Sequence, residues 1–184
     1  MKKPKFVTGE EAAAMIKDDS TIATIGMTLV SASETILKAI EKRFLETGSP
    51  NHLTLVHSCG QSDRDRGIQH FSHEEMLYRI IGGHWGLQPR MMKLISENKI
   101  LAYCIPQGQF AQLYRSMAGG EPGKITKVGL GTFIDPRIDG GKMNAITKDA
   151  PDIVDVVTID GEEYMRYKPI PLDYCIIRGT YVDD

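Results

Sequence analysis

Hydrophobic and polar positions along this chain switch repeatedly between a helical period and a strand period. Thr8 and Glu11 form a capping-box pattern, and Ala12, Ala13, Ala14, Met15 and Ile16 carry a first helix forward. Asp18, Asp19 and Ser20 break it. Residues 21–26 (TIATIG) then read as a short buried strand, β-branched and closed by glycine. A second capping-box pattern, Ser31-Ala32-Ser33-Glu34, precedes Ile36, Leu37, Ile40, Phe44 and Leu45 at helical spacing. Gly48 sits where a helix C-cap belongs, with Pro50 just beyond. Residues 53–58 (LTLVHS) are apolar on both faces apart from His57. Helix and strand thus alternate with short connections, as in a parallel sheet covered by helices.

The middle of the chain keeps this rhythm with more loop. Residues 62–67 (SDRDRG) read as a charged connection, 74–78 as a short helical piece and 79–82 as a strand. Residues 89–98 predict a helix with proline in its first turn, and 100–105 (ILAYCI) form the clearest buried strand. Pro106-Gln107-Gly108 leads into a helix over 109–118, which a glycine- and proline-rich stretch ends. Beyond Lys124 the grammar changes. Residues 128–133 (VGLGTF) read as a glycine-interrupted strand, and Asp160-Gly161 joins strands over 154–159 and 163–167 into a hairpin. A last apolar strand begins at Tyr174. This final third reads as an antiparallel addition to the edge of an α/β core, and residues 1–184 as a single domain.

Composition narrows the function classes. The chain has 184 residues, is 41% hydrophobic and carries 22 basic against 24 acidic side chains, for a formal charge of −2. Its isoelectric point near 6.2 excludes a strongly basic surface, so bulk attraction to nucleic acid or anionic membrane is not expected. The apolar runs fall short of the ~20 residues a membrane span needs. Met1-Lys2-Lys3-Pro4-Lys5 leads into a polar helix start without an apolar leader. Cys59, Cys104 and Cys175 are odd in number and far apart, which fits reduced thiols in a cytoplasmic protein.

Glycine is the first chemical lead. Gly26, Gly60, Gly82, Gly83, Gly108 and Gly131 each follow a strand, where an open α/β sheet binds ligands. They either let backbone approach a ligand or serve ordinary turns. A dinucleotide or Walker-type phosphate motif is absent. Gln107, between Pro106 and Gly108, has an amide that can donate to a carbonyl oxygen becoming an oxyanion, or can satisfy backbone groups at the helix start. His84-Trp85 reads as a base beside a substrate wall, or as a packed aromatic with a bonded imidazole. His70 and His73 share a helical face, but a metal site needs more converging ligands than this. Cys59 near His57 would need a lowered pKa and a third orienting group to act as a nucleophile.

Taken together, the stretches 41–48 (EKRFLETG), 64–67 (RDRG), 82–86 (GGHWG), 98–103 (NKILAY), 106–108 (PQG), 127–137 (KVGLGTFIDPR) and 140–144 (GGKMN) resemble the N-terminal, alpha-like half of family I CoA-transferases. The resemblance is to the propionate and short-chain acyl-CoA:carboxylate type, and the motifs occur in family order over essentially the whole chain. It implies a three-layer α/β/α, mostly parallel sheet with an antiparallel hairpin near the C-terminus. It also implies ping-pong transfer of CoA through a glutamyl anhydride and a glutamyl-CoA thioester, with CoA as substrate and neither cofactor nor metal. Gln107 matches the family's Pro-Gln-Gly glutamine and is the candidate for oxyanion stabilisation or substrate positioning. Gly26, Met27, Gly108, Gly131 and Thr132 are the substrate-binding candidates.

Two departures shape the expectation. The family's glycine-rich turn after the first strand reads here Gly26-Met27-Thr28-Leu29-Val30-Ser31, so Leu29 and Val30 either narrow the acyl pocket or pack. The family's nucleophilic glutamate belongs to the C-terminal half, and Glu10, Glu11 and Glu121 do not stand in its setting. Residues 1–184 are therefore expected to be a truncated, N-terminal-type domain, inactive by itself, ending at Tyr181-Val182-Asp183-Asp184. It would be completed by a C-terminal half or partner subunit in a homo-oligomer. The alternative is a non-catalytic CoA- or anion-binding or regulatory subunit on the same scaffold.

Overall fold

The computed structural model describes residues 4–181; the outermost residues of both termini considered above lie outside that range. The first helix, α1 (Gly9–Ala14), starts as its capping box requires. The Glu11 N–H donates to Thr8 Oγ1, and the Thr8 N–H donates to the Glu11 carboxylate at 2.7 Å. Strand β1 (Thr21–Thr24), helix α2 (Glu34–Thr47) and strand β2 (Leu53–His57) follow, and α2 closes on Gly48 in the left-handed region. A 3-10 turn (Gly67–Phe71), β3 (Leu77–Gly82), α3 (Pro89–Ser96), β4 (Leu101–Cys104) and α4 (Gln107–Ala118) complete the α/β part. The remainder is β5 (Lys124–Thr126), α5 (Ala145–Lys148), the hairpin β6 (Val154–Ile159) and β7 (Glu162–Tyr167), and β8 (Tyr174–Ile176).

The main sheet runs β4-β3-β2-β1-β8 and every pairing in it is parallel. Alternation along its strands sorts the core into two layers. Ile22, Leu55, Ile80 and Ala102 pack on one face with Leu37 and Ile40 of α2 and Met91 and Ile95 of α3. Their chain neighbours Ala23, Val56, Ile81 and Tyr103 pack on the other with Phe110 and Leu113 of α4 and with Val154, Met165 and Tyr167 of the small sheet. That small sheet, β5-β7-β6, is antiparallel. Burying an aliphatic side chain on either face contributes about 1.5–3 kcal/mol, which is why both faces are apolar. The fold is thus α/β with a mostly parallel sheet and a small antiparallel one.

Four local expectations are corrected. The second capping box does not form: Ser33 is the N-cap and makes no side-chain cap bond, because the Glu34 carboxylate accepts from the Gly67 N–H and faces His70 instead. Residues 74–76 are turn rather than helix, and Leu77 and Tyr78 already belong to β3. Residues 128–133 are consecutive turns, since Gly129 and Gly131 take φ of 104° and 70°, which a strand does not accommodate; the strand in this region is β5. Strand β8 is not antiparallel: it pairs parallel with β1, Ala23 opposite Cys175, and so extends the main sheet.

Candidate functional site

Because all strands of the main sheet point the same way, the loops after β1, β2, β3 and β4 gather at one edge. This edge is where parallel α/β sheets hold ligands. Direct bonds join the loops. The Thr28 N–H donates to the Gly60 carbonyl at 3.0 Å, bringing Gly26 and Met27 after β1 beside the turn after β2. Gly26 has φ of 137°, and a Cβ there would lie 2.7 Å from the Val30 carbonyl oxygen, so the tight turn needs glycine. Met27 and Val30 stand largely exposed above it. Val30 therefore does not pack into the core of this chain.

Gln107 occupies the first position of α4, one residue beyond its Pro106 N-cap, and is exposed. Its Oε1 accepts from the Cys59 thiol at 3.3 Å across the sheet edge. Among the described residues its Nε2 makes no hydrogen bond to protein, and the residue is exposed. Gly83 supports this placement. A Cβ there would meet the Ser58 carbonyl at 2.4 Å and Gln107 Cγ at 2.6 Å, so the backbone after β3 lies directly against the glutamine stem. Gly108, beside it, has nothing within 4 Å of where a Cβ would stand.

Behind Cys59 lies a buried chain of neutral hydrogen bonds. His57, fully buried, places Nδ1 2.7 Å from the Cys59 carbonyl, so that nitrogen donates. Its Nε2 accepts from the Trp85 indole N–H at 3.1 Å. Burial lowers the pKa of His57 to about 4; the bond to the Cys59 carbonyl works against this and the nearby His84 with it. The packed reading of Trp85 is the one observed, whereas His84 is exposed. Cys59 shows none of the orienting contacts of a nucleophile: its thiol is spent on an amide oxygen and its neighbour histidine points at its carbonyl.

Other candidates lie elsewhere. Gly131 and Thr132 belong to the turns after β5, and their bonds stay in that loop: the Gly131 N–H donates to Asp135 Oδ2 and Thr132 Oγ1 to the Gly129 carbonyl. The same loop reaches β4 through Gly141, whose carbonyl accepts from the Cys104 N–H at 2.7 Å. His70 and His73 turn to Glu41, at 2.5 and 2.8 Å, and the other nitrogen of His70 faces Glu34 at 2.9 Å. Glu10 pairs with Lys42, Glu11 caps α1 and Glu121 accepts from Ser116.

A model of the Coenzyme A transferase family matches residues 6–184 of this sequence. The chain belongs to that family. Caffeate CoA-transferase of Acetobacterium woodii is 40% identical over 181 residues, covering 98% of this chain and 34% of the relative. The acyl-CoA transferase YdiF of Escherichia coli, solved as a thioester complex with CoA, is 36% identical with a TM-score of 0.86, covering 95% of this chain and 34% of that one. The alpha subunit of the acetoacetyl-CoA:acetate/butyrate CoA transferase of Clostridium acetobutylicum is 27% identical over 180 residues, covering 98% of this chain and 72% of the subunit. This coenzyme A transferase chain therefore spans about a third of the length of the first two relatives. What sequence reasoning missed is the Cys59–Gln107 contact, which joins residues 48 positions apart and leaves no local signal. Among the described residues no helix is long and apolar enough to cross a membrane.

Proposed function

We propose that this chain is the carbonyl-holding, N-terminal part of a short-chain acyl-CoA:carboxylate CoA-transferase working by ping-pong chemistry. Residues 1–184 act as one domain, completed by a C-terminal half or partner subunit that brings the nucleophilic glutamate. That carboxylate attacks the thioester carbonyl, the C–S bond breaks, and an acyl-glutamyl anhydride and CoA thiolate form. The thiolate then attacks the glutamyl carbonyl, expelling the acyl group as its carboxylate and leaving a glutamyl-CoA thioester. The incoming carboxylate runs the steps in reverse. CoA is a substrate, and the scheme calls for no metal or other cofactor. Acetate and propionate fit the short-chain class, and the site of action is the cytoplasm.

The exposed Gln107 amide at the sheet edge carries this reading. It supplies a donor to the oxygen that gains charge in each tetrahedral intermediate, held by α4 so that little reorganisation is needed. Open space at Gly108 and the Gly26–Met27 turn supply room for substrate beside it. Gly131 and Thr132 contribute from the loop anchored on β4, and Val30 with Met27 narrows the acyl end. The exposed Ile177 and Val30 suit a surface covered by the completing half and by further copies in a homo-oligomer.

A second reading, a subunit that binds CoA or an anion without catalysis, draws on the turn after β1 keeping only Gly26 of a glycine-rich pattern. Gln107→Ala in the complete transferase separates the two. The catalytic reading expects kcat/KM to fall by about 10²-fold or more with the melting temperature unchanged, since Gln107 is exposed. Unchanged kcat/KM would favour the binding subunit.

A further inference from the structure

We infer that Cys59 is a positioning residue: its thiol, on a backbone whose carbonyl is anchored from the core through His57 and Trp85, holds Oε1 of the Gln107 amide and so leaves Nε2 as the end offered to substrate. The inference rests on the reading of Gln107 given above but concerns a different residue and a different step, the choice between two amide orientations.

An exposed glutamine side chain is ordinarily free to rotate, and each half-turn of its terminal amide exchanges a donor for an acceptor. A carbonyl-stabilising role needs the donor outward every time, so something must distinguish the two ends. A thiol whose proton is directed at the amide donates to its oxygen and so favours the oxygen end. Cys59 Sγ stands 3.3 Å from Gln107 Oε1.

The backbone that carries the thiol is itself fixed. The Trp85 N–H donates to His57 Nε2 at 3.1 Å, and His57 Nδ1 donates to the Cys59 carbonyl at 2.7 Å. Trp85 and His57 are 5% and 0% exposed, so this end of the chain of bonds belongs to the rigid core. The indole can only donate and so sets the acceptor tautomer at Nε2; the neutral ring must then donate from Nδ1. Gly83 lies directly against the Gln107 stem. A thiol here serves orientation and does not become a covalent partner of the acyl group.

The test compares Cys59→Ala, Cys59→Ser and Gln107→Ala by two readouts. In the chain alone, NMR relaxation reports the order parameter of the Gln107 side-chain amide. We expect Cys59→Ala to lower it and Cys59→Ser, which keeps a donor, to restore it. In the complete transferase, Cys59→Ala should lower kcat by about three- to tenfold, the range one hydrogen bond spans, with KM for acyl-CoA within about twofold. Cys59→Ser should recover most of that loss, which mere packing would not require. An amide order parameter and kcat both unchanged in Cys59→Ala would overturn the inference while leaving Gln107 its role. If Gln107→Ala proves silent in turnover, the catalytic reading fails instead, and the order parameter alone decides: lowered in Cys59→Ala it upholds the positioning, unchanged it overturns it.

Discussion

His57 and His70 are both buried with both ring nitrogens engaged, yet they do opposite jobs. His57 sits at the end of β2 between an indole donor and a carbonyl acceptor, a setting that needs no charge and favours a neutral ring. His70, in the 3-10 turn, sits between two carboxylates, Glu41 at 2.5 Å and Glu34 at 2.9 Å. Glu34 and Glu41 answer it from α2. Their burial raises the carboxyl pKa values, but the bonds from His70 and His73, with the Gly67 N–H on Glu34, outweigh burial and hold both below the usual range. The first arrangement shapes a site without placing charge there. The second fastens the loop after β2 to a helix, well away from Gln107's bonds.

Breaking the fastening should have the largest effect on stability. Glu41→Ala leaves His70 and His73 each short of a hydrogen-bond partner, and stranding two partly buried polar groups costs about 3 kcal/mol. Denaturant unfolding should show that loss while kcat of the complete transferase stays within about twofold. A comparable fall in rate at unchanged stability would erase the distinction between the two regions.

Acid sharpens the contrast next. For His57 the folded pKa is lowered to about 4 from 6.5, so the unfolded chain binds the proton first. The associated stability is present above pH 6.5 and is lost as pH falls towards about 4, a change of about 2 kcal/mol between pH 7 and pH 5. Glu34 and Glu41, also lowered, keep their contribution above 4.5 and lose it only as pH drops further, through their folded values. Thermal melts across this range should therefore slope in two separate windows, and His57→Gln should flatten the upper one alone. A single slope below pH 4.5 would count against a buried neutral His57.

The smallest effect joins the two properties. Gly83→Ala must displace either the Ser58 carbonyl or the Gln107 stem, and such overpacking costs about 1–2 kcal/mol. Since Gln107 moves with it, kcat should fall as well. A variant with native melting and native rate would mean that the glycine does not hold the glutamine in place.

Much of this was legible in the sequence because its signals are local. The Thr8–Glu11 cap, the Gly48 stop and the Asp160-Gly161 turn each depend on residues a few positions apart, and apolar runs such as 53–57 read as strands buried on both faces. Pro106-Gln107-Gly108 marked the start of α4, and with it the candidate site, by the same logic. Long-range competition was not legible. Glu34 left its capping box for Gly67 and His70, which approach only once the chain folds. Strand β8 reads as a short apolar run, and nothing in such a run says whether it will meet β1 parallel or a hairpin antiparallel. The relay from Trp85 to Gln107 draws on three loops, so each residue taken alone had an ordinary explanation.

On the function proposed above, this chain holds the reacting carbonyl while the attacking carboxylate comes from elsewhere in the transferase. Acyl exchange between acetyl-CoA and propionate, measured with this chain alone and with the complementary C-terminal half added, tests that most directly. The chain alone should give no exchange and the pair robust exchange. Robust exchange by the isolated chain would contradict that function.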